Sequence, residues 1–234
     1  GRKFLTFEDG SRSYFPERVP RTLRFKINDK DASDQYASLY AAPVVDAINQ
    51  MHLPRYGLGN YVAPKPHKPP TPNEAKQLDD LSRAGKRLMG FCRTNLFKRL
   101  ESSGEAFQQS LERHVLRNYI FLHAIENDLP LPLGTQDAGL LDTANYDEDV
   151  DDQSADAELF SEGEDENTRD SETLDLRDEA AFRARAAETY RLYAGQFKRR
   201  FKWLRADLFV AQLKKDLTTD SARLLKILDD CGDW

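Results

Sequence analysis

A break in charge constrains this chain more than any other feature. Between Asp142 and Glu179 stand 17 acidic residues and only two basic ones, Arg169 and Arg177. Large apolar side chains are few in that stretch, so burial cannot offset the entropy lost on ordering it. Residues 135–178 are therefore expected to form a disordered acidic linker. The rest of the chain holds 23 acidic and 32 basic residues, an excess of nine positive charges hidden within a formal net charge of −6. A basic body joined to an acidic strap suits a polyanionic partner better than the overall balance suggests.

The break orders the remaining segments. Residues 1–70 read as an extended entry segment, a short helix and a Pro-rich loop. Residues 71–134 read as a helical hairpin, and 179–234 as long C-terminal helices. The fold class expected is mainly α, with one short strand element near the N-terminus. No run of about eighteen apolar residues exists, so no membrane span is expected. The opening Gly1-Arg2-Lys3-Phe4-Leu5 has no apolar signal core. Cys92 and Cys231 are the only cysteines, and no CxxC pair occurs. That usage fits a reducing cytoplasm rather than a disulfide framework or a zinc knuckle.

Local patterns set the expected elements. Leu23, Phe25 and Ile27 alternate with Arg24 and Lys26, the period of a strand over 21–27. Ser33 or Asp34 can cap a helical stretch striped by Tyr40, Val44, Val45, Ile48 and Met51, and Pro43 predicts a break inside it. Five prolines and two glycines in 52–70 predict a surface loop. Thr71, Pro72 and Glu74 compose a capping box for a helix that Ser102-Ser103-Gly104 should stop. A partner helix spans about Glu105–Glu126. Its stretch Tyr119-Ile120-Phe121-Leu122 is apolar on most faces, which places it centrally. Tyr190, Tyr193, Phe197, Phe201, Leu204 and Leu208 follow a near-heptad spacing and predict one long helix from Asp178 to Lys215. A last helix should be capped near Thr219 or Asp220.

Catalytic signatures are missing. There is no GxxxxGK[ST] phosphate loop, no GxGxxG and no GxSxG. The four histidines, His52, His67, His114 and His123, show no metal-ligand spacing. Ser102 and Ser103 read as helix-end residues. Two basic constellations remain. Arg93, Lys98 and Arg99 are continued by Arg113, His114 and Arg117 on the next helix, and a hairpin could gather them against a phosphate backbone. The plain alternative is a solvated face with pairs such as Arg99 to Glu101. In the second, Lys198, Lys202 and Arg205 would share one helical face opposite Phe197, Phe201 and Leu204. That basic stripe could meet DNA phosphates or dock the acidic segment, and Trp203 could stack or pack. The candidate DNA contacts are thus Arg93, Lys98, Arg99, Arg113, Arg117, Lys198, Lys202 and Arg205. No catalytic and no metal residue is nominated.

Three regions carry a family resemblance. Phe15-Pro16-Glu17-Arg18-Val19-Pro20, followed by Asp34-Gln35-Tyr36-Ala37-Ser38-Leu39-Tyr40, resembles the exit from the first RecA-like lobe of Swi/Snf-type ATPases. Lys98-Arg99-Leu100-Glu101-Ser102-Ser103 resembles the Lys-Arg-x-x-Ser-Ser element of bacterial members. Leu224-Leu225-Lys226-Ile227-Leu228 up to Trp234 resembles the approach to the second lobe. The resemblance implies a helical insert and linker between two ATPase lobes of a DNA helicase or translocase. It implies ATP and magnesium in the parent, with no cofactor in this part. Double-stranded DNA and the ATPase lobes are the implied partners. The competing class is a stand-alone interaction protein whose acidic segment binds basic partners.

Overall fold

The computed structural model describes residues 4–7, 9–14, 21–22, 26–28, 30–31, 34–134 and 178–232, with the backbone alone for 83–87. Within those residues the protein is mainly helical. Helix α1 (Gln35–Leu39) opens at Asp34, whose carboxylate accepts the Ala37 N–H at 3.1 Å. Helix α2 (Ala42–Asn49) starts afresh with Pro43 in its first turn, where the missing N–H costs nothing. The expected break at Pro43 is thus present.

Helix α3 (Pro72–Ser102) begins with both halves of the capping box formed. Glu74 accepts the Thr71 N–H at 2.7 Å, and the Thr71 hydroxyl accepts the Glu74 N–H at 3.3 Å. At 31 residues α3 is roughly 46 Å long. Ser103 closes α3 and opens α4 (Gly104–Glu126), its hydroxyl accepting the Ala106 N–H at 3.1 Å. Every residue of α4 from Val115 to Leu122 is buried. The apolar wrap read from Tyr119 to Leu122 has the expected outcome: α4 is the central helix, packed against α3 and two C-terminal helices.

Those C-terminal helices depart from expectation. One unbroken helix over 178–215 does not form. Helix α5 (Glu179–Ala194) is capped by Asp178 and stops at Gly195. A 3-10 turn (Lys198–Arg200), a strand and a second 3-10 turn (Ala206–Leu208) follow before α6 (Gln212–Cys231). The strand, β4 (Lys202–Leu204), pairs antiparallel with β3 (Leu131–Leu133), with Leu131 opposite Leu204 and Leu133 opposite Lys202. Phe201, Leu204 and Leu208 are buried as the heptad spacing demanded, but turns and a strand deliver them. Helix α6 also runs straight through Thr219 and Asp220, where a new cap was expected.

The N-terminal strand lies elsewhere. Leu23, Arg24 and Phe25 are outside the described residues, and Arg21, Thr22, Lys26 and Ile27 belong to no strand. An antiparallel hairpin instead joins β1 (Phe4–Thr6) to β2 (Arg12–Tyr14), with Gly10 at φ +79° in its turn. The expected linker is likewise outside the described residues, except that Asp178 caps α5. No described helix is long and apolar enough to cross a membrane.

The Pro-rich loop is only partly superficial. Its second half, from Pro64 on, is mostly exposed, but Leu53 and Leu58 are buried in the main core. Close approach makes this possible: a Cβ on Gly59 would lie 2.5 Å from the Ser82 Cα, inside contact distance. The loop entrance is held by three side chains from two helices. Arg93 of α3 donates to the Met51 carbonyl (2.6 Å), and Arg223 of α6 donates to the Gln50 carbonyl (2.6 Å). Asp220 accepts the N–H groups of His52 and Leu53 at 3.0 and 2.7 Å. Leu53 sits at φ 51°, a conformation costing about 1–3 kcal/mol that persists only where its surroundings enforce it.

Candidate nucleic-acid interface

Eight basic side chains carry the sequence argument for phosphate contact, and the fold separates them by burial. Arg113 and Arg117 lie on the enclosed part of α4 and are only 4% and 3% exposed. A phosphate arriving from solvent does not reach them in this packing. Arg93 is half-buried and spends one amino group on the Met51 carbonyl. Arg99 is half-buried and engaged with neighbours. Lys98 alone of the hairpin set stands exposed.

The second set is divided in the same way. Arg205 bonds Glu74 at 3.0 Å and Asp207 at 3.1 Å, and it also donates to the Lys68 and Pro69 carbonyls, each at 3.2 Å. It is a clamp between the second 3-10 turn and the start of α3. Glu74 responds: burial works against its charge, but the bonds from Thr71 and Arg205 outweigh that and hold its carboxyl below the usual range. Lys202 is half-buried on β4 and engaged. Lys198 is exposed. The common face of Lys198, Lys202 and Arg205 assumed a helix; the segment is not helical, so they do not share one.

The break at Gly195 creates a different cluster. Lys198, Arg199 and Arg200 form one tight turn with all three side chains exposed. Among the described residues, the side chains of Lys198 and Arg199 make no ion pair or hydrogen bond. The turn is nonetheless held firmly. The Trp203 indole donates to the Lys198 carbonyl at 2.9 Å, the Arg200 N–H donates to the Phe197 carbonyl at 2.9 Å, and the Arg200 guanidinium lies 5.1 Å from the Phe197 ring centre. Trp203 packs edge-on against Tyr190 and Phe201, which settles it as a packed residue. Arg199 and Arg200 were missed because a helix would have spread them around its circumference. Gly195 between Ala194 and Gln196 was the available signal for a stop.

Several other cations are matched internally. Arg183 pairs with Glu179 at 2.8 Å and Glu126 at 3.0 Å, while Lys214 reaches the other oxygen of Glu126 at 3.2 Å. Arg185 pairs with Glu188 at 2.9 Å. Among the described residues no group of three or more metal-ligating side chains converges. Comparison of the chain with protein-family models, curated proteins and solved structures gave no match.

Proposed function

We propose that this chain is a non-catalytic helical module of an ATP-dependent DNA helicase or translocase, one that touches duplex DNA and couples two ATPase lobes. The observation that carries the DNA part is the Lys198–Arg200 turn. Three adjacent cations are exposed on a braced scaffold, and two of them have no internal counter-charge among the described residues. Cations in that state can replace condensed counterions along a phosphate backbone, which is where sequence-independent affinity originates. Lys98 is a separate, weaker contact. The resemblance of three regions to Swi/Snf-type ATPases supports the coupling role. ATP and magnesium belong to the parent enzyme, and the isolated chain is expected to hydrolyse no ATP because it has no phosphate-binding loop.

The test is fluorescence anisotropy with two labelled duplexes of unrelated sequence. The wild-type chain is expected to bind both weakly and equally, with affinity falling steeply as salt rises. Lys198→Glu, Arg199→Glu and Arg200→Glu combined should weaken both complexes alike, and each lost phosphate contact should reduce the salt slope by about 0.9. Unchanged affinity in the triple variant would sink the assignment of the turn.

A second reading rests on the 17 acidic residues against two basic between Asp142 and Glu179. It makes the chain a stand-alone module that binds basic partners. A phosphate-binding loop encoded upstream in the same open reading frame favours the first reading; a start codon directly before this region favours the second.

A further inference from the structure

The Pro-rich loop is stitched to the chain beyond β4, and that seam holds up a second set of cations. The Ala63 N–H donates to the Leu208 carbonyl and the Val210 N–H to the Tyr61 carbonyl, each at 2.8 Å, which closes an antiparallel bridge between Val62 and Phe209. Further along, the Arg205 guanidinium donates to the Lys68 and Pro69 carbonyls, each at 3.2 Å. The residues from Pro64 to His67 therefore form an arch pinned at both feet. Pro64 and Pro66 fix φ within the arch, and Pro69 and Pro70 do so just beyond it.

Two lysines stand on this arch, Lys65 within it and Lys68 at its far foot, and both are exposed. Among the described residues their side chains make no ion pair or hydrogen bond. The two carboxylates at the far foot do not answer them. Glu74 and Asp207 are both engaged by Arg205, at 3.0 and 3.1 Å. The run Pro66-His67-Lys68-Pro69 also has the spacing that suits an aromatic groove on a protein. Such a groove needs access to the backbone of the run, and Arg205 already covers the carbonyls of Lys68 and Pro69. The ammonium groups remain available, which favours an anionic partner over a protein groove.

The arch also lies within reach of the Lys198–Arg200 turn. Arg205 is five residues past Arg200, so extended chain separates them by at most roughly 18 Å. That is well inside one helical turn of duplex, about 34 Å.

We propose that the Lys65–Lys68 arch is a second phosphate-backbone contact, gripping the same duplex as the Lys198–Arg200 turn. The proposal rests on the reading of that turn as a DNA contact. Lys65 and Lys68 neutralise phosphates. Arg205 is a positioning residue: it fixes the foot of the arch and occupies the two carboxylates that would otherwise compete with DNA. The prolines reduce the ordering entropy that binding costs. The arch reads no base, because contacts to phosphate carry no sequence information.

The experiment uses the whole chain, fluorescence anisotropy and two labelled duplexes of unrelated sequence over a salt series. Lys65→Gln and Lys68→Gln combined should weaken both complexes alike, on the order of tenfold at low salt, and lower the salt slope by about 1.8, two contacts at 0.9 each. Lys65→Arg with Lys68→Arg keeps both charges and should retain wild-type affinity and slope. Both side chains are exposed, so neither pair of changes disturbs the core. Wild-type affinity and slope in the Gln pair, beside a weakened Lys198–Arg200 triple variant, overturn the arch and leave the DNA reading of the turn standing. The arch would then serve as a docking run for a protein groove. Wild-type behaviour of both variants overturns the arch and the DNA reading together. A Gln pair that binds more weakly with an unchanged slope also overturns the arch, since lost phosphate contacts are then not the cause.

Discussion

The α4 arginines and the Lys198–Arg200 turn have similar composition and opposite fates. Arg113 and Arg117 lie on the helix that every other long helix packs against, and they are enclosed. Lys198, Arg199 and Arg200 lie just past a helix stop, on a turn with few neighbours, and they remain in water. A buried cation contributes to fold specificity and loses its reach, while an exposed cation contributes almost nothing to stability and keeps its reach. A charge cluster in a sequence acquires a role only after the fold has sorted its members by depth.

The sharpest way to break this comparison is to reverse one charge in each region. Arg117→Glu is expected to destabilise the protein by on the order of 3–5 kcal/mol, because it puts the opposite charge at a position only 3% exposed. Arg199→Glu should change stability by less than about 0.5 kcal/mol. Urea denaturation followed by circular dichroism measures both. A stable Arg117→Glu chain with lowered DNA affinity would invert the assignment.

Next in size is Asp220. Removing its carboxylate strands the His52 and Leu53 N–H groups at a position where the backbone is already strained. Asp220→Ala should cost roughly 3 kcal/mol, given about 1–3 kcal/mol for each buried donor left without an acceptor. An unchanged denaturation midpoint would show that the joint is held without it. Burial also raises the Asp220 carboxyl, against the pull of those two N–H groups. The folded chain therefore keeps this proton above the pH at which the unfolded chain releases it, so this contribution to stability is fully present below 3.8 and is lost as pH rises through the raised folded value.

A smaller effect concerns the acidic stretch, whose negative charge opposes DNA binding by the exposed cations, by repelling DNA or by covering the basic face. Deleting residues 142–177 removes most of the negative excess and should tighten DNA binding several-fold at low salt, an effect that fades as the Debye length shrinks. No tightening at low salt would mean that the turn and the acidic stretch do not influence each other.

The sequence displayed some of this plainly and hid the rest for physical reasons. The capping box at Thr71, the central burial of Tyr119–Leu122 and the interruption at Pro43 follow from interactions within a few residues, so the local pattern contains them. The path from Gly195 to Ala211 does not. Phe201, Leu204 and Leu208 satisfy a heptad and a strand-plus-turn route equally well, and pairing with Leu131–Leu133, some seventy residues earlier, selects the second. Asp220 looked like a helix cap because aspartate favours that place; its partners are 167 and 168 residues away. The depth of Arg113 and Arg117 depended likewise on what α5 and α6 cover.

Glu74 gives the smallest effect and tests the middle ground, a cation that is neither buried nor free. Arg205 clamps the chain after β4 to the start of α3 through this carboxylate. The folded-state carboxyl is held below its ordinary value of 4.5. The sign follows from linkage: the unfolded chain binds this proton more readily, so the contribution is fully present above 4.5 and is lost as pH falls through the folded value. Both partners are partly solvated, so the loss should stay under about 1 kcal/mol. Glu74→Gln removes the charge but keeps a side chain able to accept the Thr71 N–H. Its melting temperature should sit slightly below wild type at pH 7, and the gap should narrow as pH falls below 4.5 toward and through the lowered folded value. Trp203, two residues before Arg205, should report the same loosening as a fluorescence change in wild type that the variant does not show. A gap that does not narrow at any pH down to acid unfolding would mean that Arg205 is held by the Lys68 and Pro69 carbonyls alone, and that its charge is closer to the free state of Arg199 than the geometry implies.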